Sequence, residues 1–196
     1  MIKAIIFDLG GVVIDFSNKL YYECIAETSG KPAEEVKITI EKSALPLLEK
    51  GKITTRSFEK TVAKSLGIAL KEVRWYGFYA RAVRANSDIL ELLSVLHQDY
   101  RIAYLSNIDK ARYSYTVKIL NLNLFDYRFA SCYIGARKPE PMVYTYALKK
   151  MGMGPSNALF IDNQMENVLG ARKAGITSLQ FKNRRTLDLD LAKLGL

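Results

Sequence analysis

The sequence predicts an α/β protein: a doubly wound, parallel (Rossmann-like) sheet core with an inserted α-helical domain. Three observations predict this fold class. A short apolar strand opens the chain, and from residue 86 onwards apolar strand patterns alternate with helical ones. Such alternation favours a parallel sheet with helices packed on its faces. Between these two parts, residues 18–84 show helical periodicity and no convincing strand.

The first strand covers residues 5–7 and stops at Asp8, which Leu9, Gly10 and Gly11 follow. Glycine permits the sharp turn that a chain leaving a sheet requires. Apolar residues then recur at helical spacing in about four short helices, at 20–26, 36–40, 58–66 and 73–83. Because the first strand must join the later sheet, this module is an insertion. We predict a core of residues 1–16 with 86–196, and an inserted domain of residues 17–85.

The second part of the chain repeats one unit, a strand followed by polar residues and a helix. After a helix capped at Ser87-Asp88, the predicted strands are 101–105, 128–132, 158–161 and 177–181, and the predicted helices are 109–120, 140–151 and 168–174. Gly175 closes the last of these helices.

Composition excludes several functional classes. The 196 residues suit one core domain with a small inserted one, and 49% hydrophobic with 25% charged residues is typical of globular proteins. Cys24 and Cys132 fit no metal or disulfide spacing, so we interpret them as free thiols. No apolar run approaches the roughly 18 residues of a membrane helix, and Asp8 interrupts the first run too early for a signal peptide. We therefore expect a cytoplasmic protein without a membrane partner.

Charge and histidine content narrow the chemistry further. The net charge is +9, but the basic residues are scattered and match no nucleic-acid-binding motif, so we expect no nucleic-acid partner. A positive field also favours anionic substrates. His97 is the only histidine and ends a helical pattern, which disfavours Ser-His-Asp and Cys-His catalysis and a histidine-rich zinc site. Carboxylates, hydroxyls, amides and lysine must supply the chemistry.

Polar residues follow four successive strands: Asp8, Ser106-Asn107, Lys138 and Asp162-Asn163. Parallel strands bring their carboxyl ends to one edge, where ligands bind in open α/β sheets. Each residue has a structural alternative, since Asp8, Asp162 and Ser106-Asn107 could cap helices and Lys138 could lie at the surface. Their recurrence at the same place in each unit favours a single site.

These residue types suit displacement by a carboxylate. Asp8 would attack and form an aspartyl ester or aspartyl phosphate. The Ser106 hydroxyl and the Asn107 N–H could hold phosphoryl oxygens, while Lys138 would neutralise them and pair with Asp8.

Asp162 with Asn163 could hold a hard cation beside Asp8, an arrangement typical of Mg²⁺. A magnesium cofactor and a small phosphorylated molecule as the partner are compatible with these residue types. Oligomeric state is not predicted.

The residues around these positions resemble the motifs of the haloacid dehalogenase superfamily, over nearly the whole chain. The four motifs read Phe7-Asp8-Leu9-Gly10-Gly11-Val12, Tyr104-Leu105-Ser106-Asn107, Arg137-Lys138-Pro139-Glu140-Pro141 and Phe160-Ile161-Asp162-Asn163. The resemblance, closest to phosphatase-like members with a Phe-Asp-Leu-Gly first motif, implies that the insertion is a C1-type cap (subfamily I). It implies catalytic roles for Asp8, Ser106 and Lys138, substrate contacts for Gly11, Ser106, Asn107 and Lys138, and metal contacts for Asp8, Gly10, Asp162 and Asn163.

The chain departs from the family pattern at two chemically important positions. Gly10 replaces the second acid of the first motif, which serves phosphatases as general acid and base, although its carbonyl can still bind metal. Asn163 replaces a metal-binding carboxylate with a neutral amide. Losing an acid/base group costs about 10²- to 10⁴-fold in rate. Asp15 is a nearby carboxylate, which we interpret as part of the hinge into the cap.

Three functions agree with this pattern. The first is a Mg²⁺-dependent phosphatase of small metabolites, of reduced activity. The second is a metal-independent 2-haloacid dehalogenase, although Gly10 and Val12 stand where those enzymes have an aromatic residue and Thr. The third is a non-catalytic member that binds a phosphorylated ligand or a protein.

Overall fold

The computed structural model describes residues 1–16, 18–42 and 44–196, and the elements named here belong to those residues. The strands are β1 (Ala4–Phe7), β2 (Ile14–Asp15), β3 (Arg84–Ala85), β4 (Arg101–Ser106), β5 (Tyr127–Ala130), β6 (Ala158–Asp162) and β7 (Thr177–Gln180). The helices are α1 (Asn18–Ser29), α2 (Ala33–Lys42), α3 (Leu45–Glu49), α4 (Thr55–Leu66), α5 (Leu70–Val73), α6 (Trp75–Ala82), α7 (Ser87–Leu96), α8 (Lys110–Ile119), α9 (Ser131–Ile134), α10 (Pro141–Met151), α11 (Met165–Lys173) and α12 (Arg184–Lys193).

Five parallel strands form the main sheet in the order β5-β4-β1-β6-β7. The central strand β1 pairs on both sides, with Phe7 opposite Tyr104 of β4 and Ile161 of β6. After β1, the chain adds β4 and then β5 on one side of it, and later β6 and β7 on the other side. The carboxyl ends of β1, β4 and β6 therefore meet at the point where a doubly wound sheet opens a crevice. The predicted fold class is confirmed.

The sheet buries apolar side chains on both of its faces. Along β1, Ile5 and Phe7 belong to one core cluster and Ala4 and Ile6 to a second, because successive side chains of a strand point to opposite faces. Helices cover both faces, which explains why the middle positions of the inner strands are continuously apolar, as at residues 102–105 of β4.

Helices α1 to α6 form a unit, called here the helical segment, with a core of its own. Trp75 lies at its centre, in edge contact with Tyr21 and Phe58. The segment is joined to the rest of the chain at the antiparallel pair β2–β3, where Asp15 lies opposite Arg84. The sequence predicted about four helices here and neither of these strands, because strands of two residues show no periodicity.

Three further boundaries differ from the predictions. The strand predicted at 128–132 ends at Ala130, and Ser131 begins the single turn α9, which Gly135 ends at φ 82°. Helix α11 begins at Met165, three residues before the predicted start. Asn86, rather than Ser87-Asp88, caps α7 by accepting the N–H of Ile89. Across the described part of the chain, no helix combines the length and apolarity that a bilayer crossing demands.

Candidate active site

Asp8 follows β1 directly and lies at the carboxyl edge of the sheet. Its N–H donates to the carbonyl of Ile161 at 2.8 Å, and its Oδ1 accepts the N–H of Leu9 at 2.7 Å. The residue is only 5% exposed. Burial, together with the negative charge of Asp162, raises the pKa of Asp8 to about 7 although Lys138 opposes the rise. Asp8 is thus held by the sheet and does not cap a helix.

Lys138 joins the two carboxylates of the site. Its Nζ lies 2.8 Å from Asp8 Oδ1 and 2.6 Å from Asp162 Oδ2, and the residue is 1% exposed. Burial by itself would lower the pKa of Lys138, but the charges of Asp162 and Asp8 outweigh burial and raise that pKa. The lysine is therefore a buried cation, and the surface position that we considered as an alternative is wrong.

Asn107, which follows β4 directly, holds the backbone of Lys138. Its Oδ1 accepts the Lys138 N–H at 2.8 Å, and its Nδ2 donates to the Lys138 carbonyl at 2.9 Å. Helix α8 is capped by Asp109, which accepts the N–H groups of Ala111 and Arg112. Neither Ser106 nor Asn107 is therefore the N-cap of α8, and Asn107 instead ties β4 to the loop that carries the lysine.

Asp162 ends β6, is fully buried, and has both carboxylate oxygens engaged. Its Oδ1 accepts the Gln164 N–H at 2.8 Å, its Oδ2 accepts Lys138 Nζ, and Asn167 Nδ2 donates to both oxygens at 3.2 and 3.0 Å. Each oxygen thus accepts two hydrogen bonds. In this arrangement Asp162 orients the lysine.

Gly11 and Asn163 lie in close contact across the site. Gly11 has φ +78°, and a Cβ at this position would lie 2.3 Å from Asn163 Nδ2. Only glycine satisfies both conditions. The N–H of Gly11 donates to the carbonyl of Ile14 at 2.8 Å, and the lack of a side chain at Gly11 leaves room for Asn163.

Asn163 supplies an oxygen that suits a hard cation. Its Oδ1 is buried and has no hydrogen-bond partner among the residues that the structure describes. The Asp8 carboxylate, the Gly10 carbonyl and this amide oxygen are the donor types that Mg²⁺ prefers. The same described residues contain no group of three His, Cys, Asp or Glu that could hold a metal. The residues fit a magnesium ion, with less negative charge than a site of several carboxylates.

A cavity of about 760 Å³ separates the helical segment from the sheet edge. Asp8 and Lys138 line it, as does Ser106, which is 3% exposed at the end of β4. From the helical segment the lining residues are Asn18, Lys19, Tyr22, Glu23, Ala33, Glu34, Lys37, Glu41, Leu45, Pro46, Glu49 and Tyr79. Four arginines of residues 17–85, Arg56, Arg74, Arg81 and Arg84, are not among the lining residues.

A buried ionic cluster beside this cavity was missed by the sequence analysis. Arg112 of α8 pairs with Asp109 and with Glu49 of the helical segment, and Glu49 also pairs with Arg137. Trp75 Nε1 donates to Asp109 Oδ2 at 3.0 Å. The one sequence signal for this cluster is that Arg137 directly precedes Lys138. Glu49 lies in a sequence pattern that is typical of a solvent-exposed helix position.

Comparisons with known proteins agree with this geometry. The sequence model of a hydrolase family, the haloacid dehalogenase-like hydrolases, matches residues 2–175. The chain is 25% identical over 200 residues to drimenol cyclase of Aspergillus calidoustus, and spans 37% of the length of that protein. It is 24% identical to D-ribitol-5-phosphate phosphatase of Bacteroides thetaiotaomicron, covering 93% of both chains. It is also 24% identical to a sesquiterpene phosphatase of Aspergillus oryzae, over 98% of this chain and 96% of that one.

Solved structures share the fold. A HAD family enzyme from Bacteroides thetaiotaomicron, solved in complex with magnesium and inorganic phosphate, superposes with a TM-score of 0.77 at 22% identity. The superposition covers 93% of this chain and 95% of that one. Because the family match extends over most of the chain and the sheet carries the expected residues at its carboxyl edge, the protein belongs to the haloacid dehalogenase-like hydrolases.

Proposed function

We propose that the protein is a Mg²⁺-dependent phosphatase of small phosphorylated metabolites, with Asp8 as its nucleophile. The observation that carries the proposal is that only one of the two carboxylate oxygens of Asp8, at the floor of the cavity, is hydrogen-bonded among the described residues. Oδ1 holds Lys138 and the N–H of Leu9, while Oδ2 has no partner in residues 1–16, 18–42 and 44–196. Oδ2 is therefore the oxygen available to attack phosphorus.

The reaction divides between two displacements at phosphorus. Asp8 Oδ2 forms a bond to phosphorus as the ester oxygen of the substrate departs, and water then attacks phosphorus and releases Asp8. Lys138 and the Ser106 hydroxyl bind oxygens of the transferred group. Asn107 fixes the position of Lys138, and β4 fixes the position of Ser106. Gly10 supplies no proton to the departing oxygen, so substrates with good leaving groups react faster than alkyl esters.

Asp8, the Gly10 carbonyl and Asn163 would hold the magnesium ion, and Asp162 would orient Lys138. A bound Mg²⁺ supplies positive charge that neutralises the phosphoryl oxygens. Asn163 contributes a dipole in place of a full charge, from which we infer weaker metal binding and reduced turnover.

We further propose that residues 17–85 act as a cap that selects the substrate, within a protein of the cytoplasm. In support, helices of this segment form the outer wall of the cavity and have a core of their own. The two related phosphatases act, by their names, on a sugar-alcohol phosphate and on a sesquiterpene phosphate. Both names support a small phosphorylated substrate. Because a sugar alcohol and a sesquiterpene differ chemically, we propose no particular organic group for it.

Hydrolysis of p-nitrophenyl phosphate and acetyl phosphate, with Mg²⁺ and with EDTA, tests the proposal. We expect phosphate release that requires Mg²⁺ and falls to background in Asp8→Asn, a variant of nearly equal size without a nucleophilic carboxylate. Halide release from 2-chloropropionate that resists EDTA would instead establish a dehalogenase. Phosphate binding without turnover of any phosphorylated metabolite in a panel would establish a non-catalytic protein.

A further inference from the structure

Two arginines line the cavity, and the partners of their nitrogens differ. Arg112 is 4% exposed and donates from Nε to Asp109, from Nη1 to Asn18 and from Nη2 to Glu49. Its guanidinium also lies over the Trp75 ring, 4.5 Å from the centroid. All three nitrogens are engaged, so Arg112 has a structural role.

Arg137 has only one of its nitrogens engaged. Its Nε donates to Glu49 Oε2 at 2.9 Å, and no other partner of its guanidinium is found in the described part of the chain. Its side chain is 29% exposed and borders the cavity. Arg137 directly precedes Lys138 in the sequence. Two Nη groups, a pair of donors in fixed planar geometry, therefore remain available to a ligand.

Glu49 determines the orientation of this guanidinium. It is 3% exposed, its Oε1 accepts from Arg112, and its carbonyl accepts the Ser131 hydroxyl at 2.7 Å. Because Arg112 binds its carboxylate and Ser131 binds its backbone carbonyl, Glu49 has a fixed position. Arg137 therefore adopts the direction that Glu49 imposes.

The two residues come from different parts of the molecule. Glu49 ends α3 in the helical segment, whereas Arg137 belongs to the loop before α10. The next residue of the segment, Lys50, pairs with Glu140 at 2.6 Å. The segment thus contacts the loop on either side of Lys138, and the contact through Glu49 is made with a side chain that has free donors among the described residues.

We propose that Arg137 is a substrate-binding residue whose Nη groups donate to a phosphoryl oxygen of the bound phosphate ester, and that Glu49 is its positioning residue. The inference rests on the proposed function, since it requires a phosphoryl ligand at Lys138. It adds a dependence on the helical segment: Arg137 is aimed into the cavity only while Glu49 is docked against it. Phosphoryl groups match the planar fork of a guanidinium, which donates two parallel hydrogen bonds.

The test uses the full-length protein and the variants Arg137→Ala, Glu49→Gln, their double mutant and Lys50→Ala. Lys50→Ala is the matched control, because it removes the neighbouring ion pair without touching Arg137. The measurements are KM and kcat for p-nitrophenyl phosphate with Mg²⁺, the Kd of inorganic phosphate by calorimetry, and the melting temperature. Arg137→Lys, which retains the charge but not the fork, is a further variant with little risk of misfolding.

We expect Arg137→Ala and Glu49→Gln each to raise KM and the phosphate Kd about tenfold, a typical loss for one charge-assisted contact. The double mutant should match Arg137→Ala, because Glu49 acts through Arg137 and the two effects are not additive. Arg137→Lys should stay impaired, and Lys50→Ala should leave both constants within twofold. The melting temperature should fall most in variants that remove Glu49, which also holds Arg112.

Unchanged KM and Kd in Arg137→Ala, additive effects in the double mutant, or equal effects of Glu49→Gln and Lys50→Ala would each overturn the proposal. Any of these results with turnover intact leaves the phosphatase assignment standing. If the wild-type protein binds phosphate without hydrolysing esters, the phosphatase assignment fails and the phosphate Kd still decides the role of Arg137. A wild-type protein that neither binds phosphate nor hydrolyses phosphate esters refutes both.

Discussion

Replacing Gly10 by Asp restores a proton donor two residues beyond the nucleophile. The structure has room for a Cβ at Gly10, which would approach only the Phe16 carbonyl, at 4.0 Å, and the backbone is outside the left-handed region. The neighbouring Gly11 offers no such room, because its φ is +78° and Asn163 lies within 2.3 Å of the added atom. Position 10 can therefore accept a Cβ without distortion of the turn, unlike position 11.

The size of the expected effect depends on the leaving group. An alkyl alcohol leaves slowly unless its oxygen is protonated, whereas p-nitrophenolate leaves without a proton. General acid catalysis contributes about 10²- to 10⁴-fold. For an alkyl phosphate such as glycerol phosphate, we expect Gly10→Asp to raise kcat/KM by about 10²-fold, or ~2.7 kcal/mol of barrier. For p-nitrophenyl phosphate we expect a change below about threefold.

The assay compares kcat/KM for the two substrates in the wild-type protein, Gly10→Asp and Gly10→Asn. The ratio kcat/KM reports the steps through departure of the leaving group, and the Asn variant has the size of Asp without its proton. An equal gain on both substrates would refute the reasoning, as would the same gain in Gly10→Asn. Melting temperatures of the three proteins verify that the turn is intact.

Two further predictions concern single positions. Asn163→Asp should tighten Mg²⁺ binding by about tenfold, since a full charge replaces an amide dipole; a calorimetric Mg²⁺ titration measures it, and unchanged affinity would place Asn163 outside the metal site. Gly170→Ala should destabilise the protein by about 1–3 kcal/mol in urea unfolding, because the added Cβ would lie 2.8 Å from Pro139 Cβ and 2.9 Å from Tyr144 Oη. Gly77→Ala is its control: nothing lies within 4 Å of that Cβ in α6, so we expect a gain of up to about 1 kcal/mol, and a loss of stability in both would contradict the packing argument.

The sheet and the polar residues at its edge could be predicted because their determinants are local. The apolar run of residues 102–105 can be recognised from composition alone, and Asp8 follows its strand directly while Asp162 ends its own. The parallel arrangement then brings separate strand ends together, whatever the detailed packing. The two-residue strands β2 and β3 were missed since they contain no periodicity to detect.

Within the site, the sequence predicted residue identities better than partners. It suggested that Lys138 pairs with Asp8, but not that Asp162 contacts the lysine from the other side or that Asn167 holds Asp162 in place. Asn107 was expected to bind phosphoryl oxygens through its backbone N–H, which stays a prediction; that its side chain clamps Lys138 was not predicted. A side-chain amide has many partners within reach along a chain, so only the folded geometry selects one.

By itself, then, the sequence determined the fold class, the nucleophile candidate and the two departures from the family pattern, since each depends on residue type and order. The tertiary structure decided that Glu49 reaches Arg112 and Arg137, residues 63 and 88 positions away in the chain. Such contacts have no local pattern, because they arise only when independently folded surfaces meet. The residues that supply the chemistry of the site could therefore be predicted from the sequence, whereas the contacts of Glu49 that connect the site to the helical segment could not.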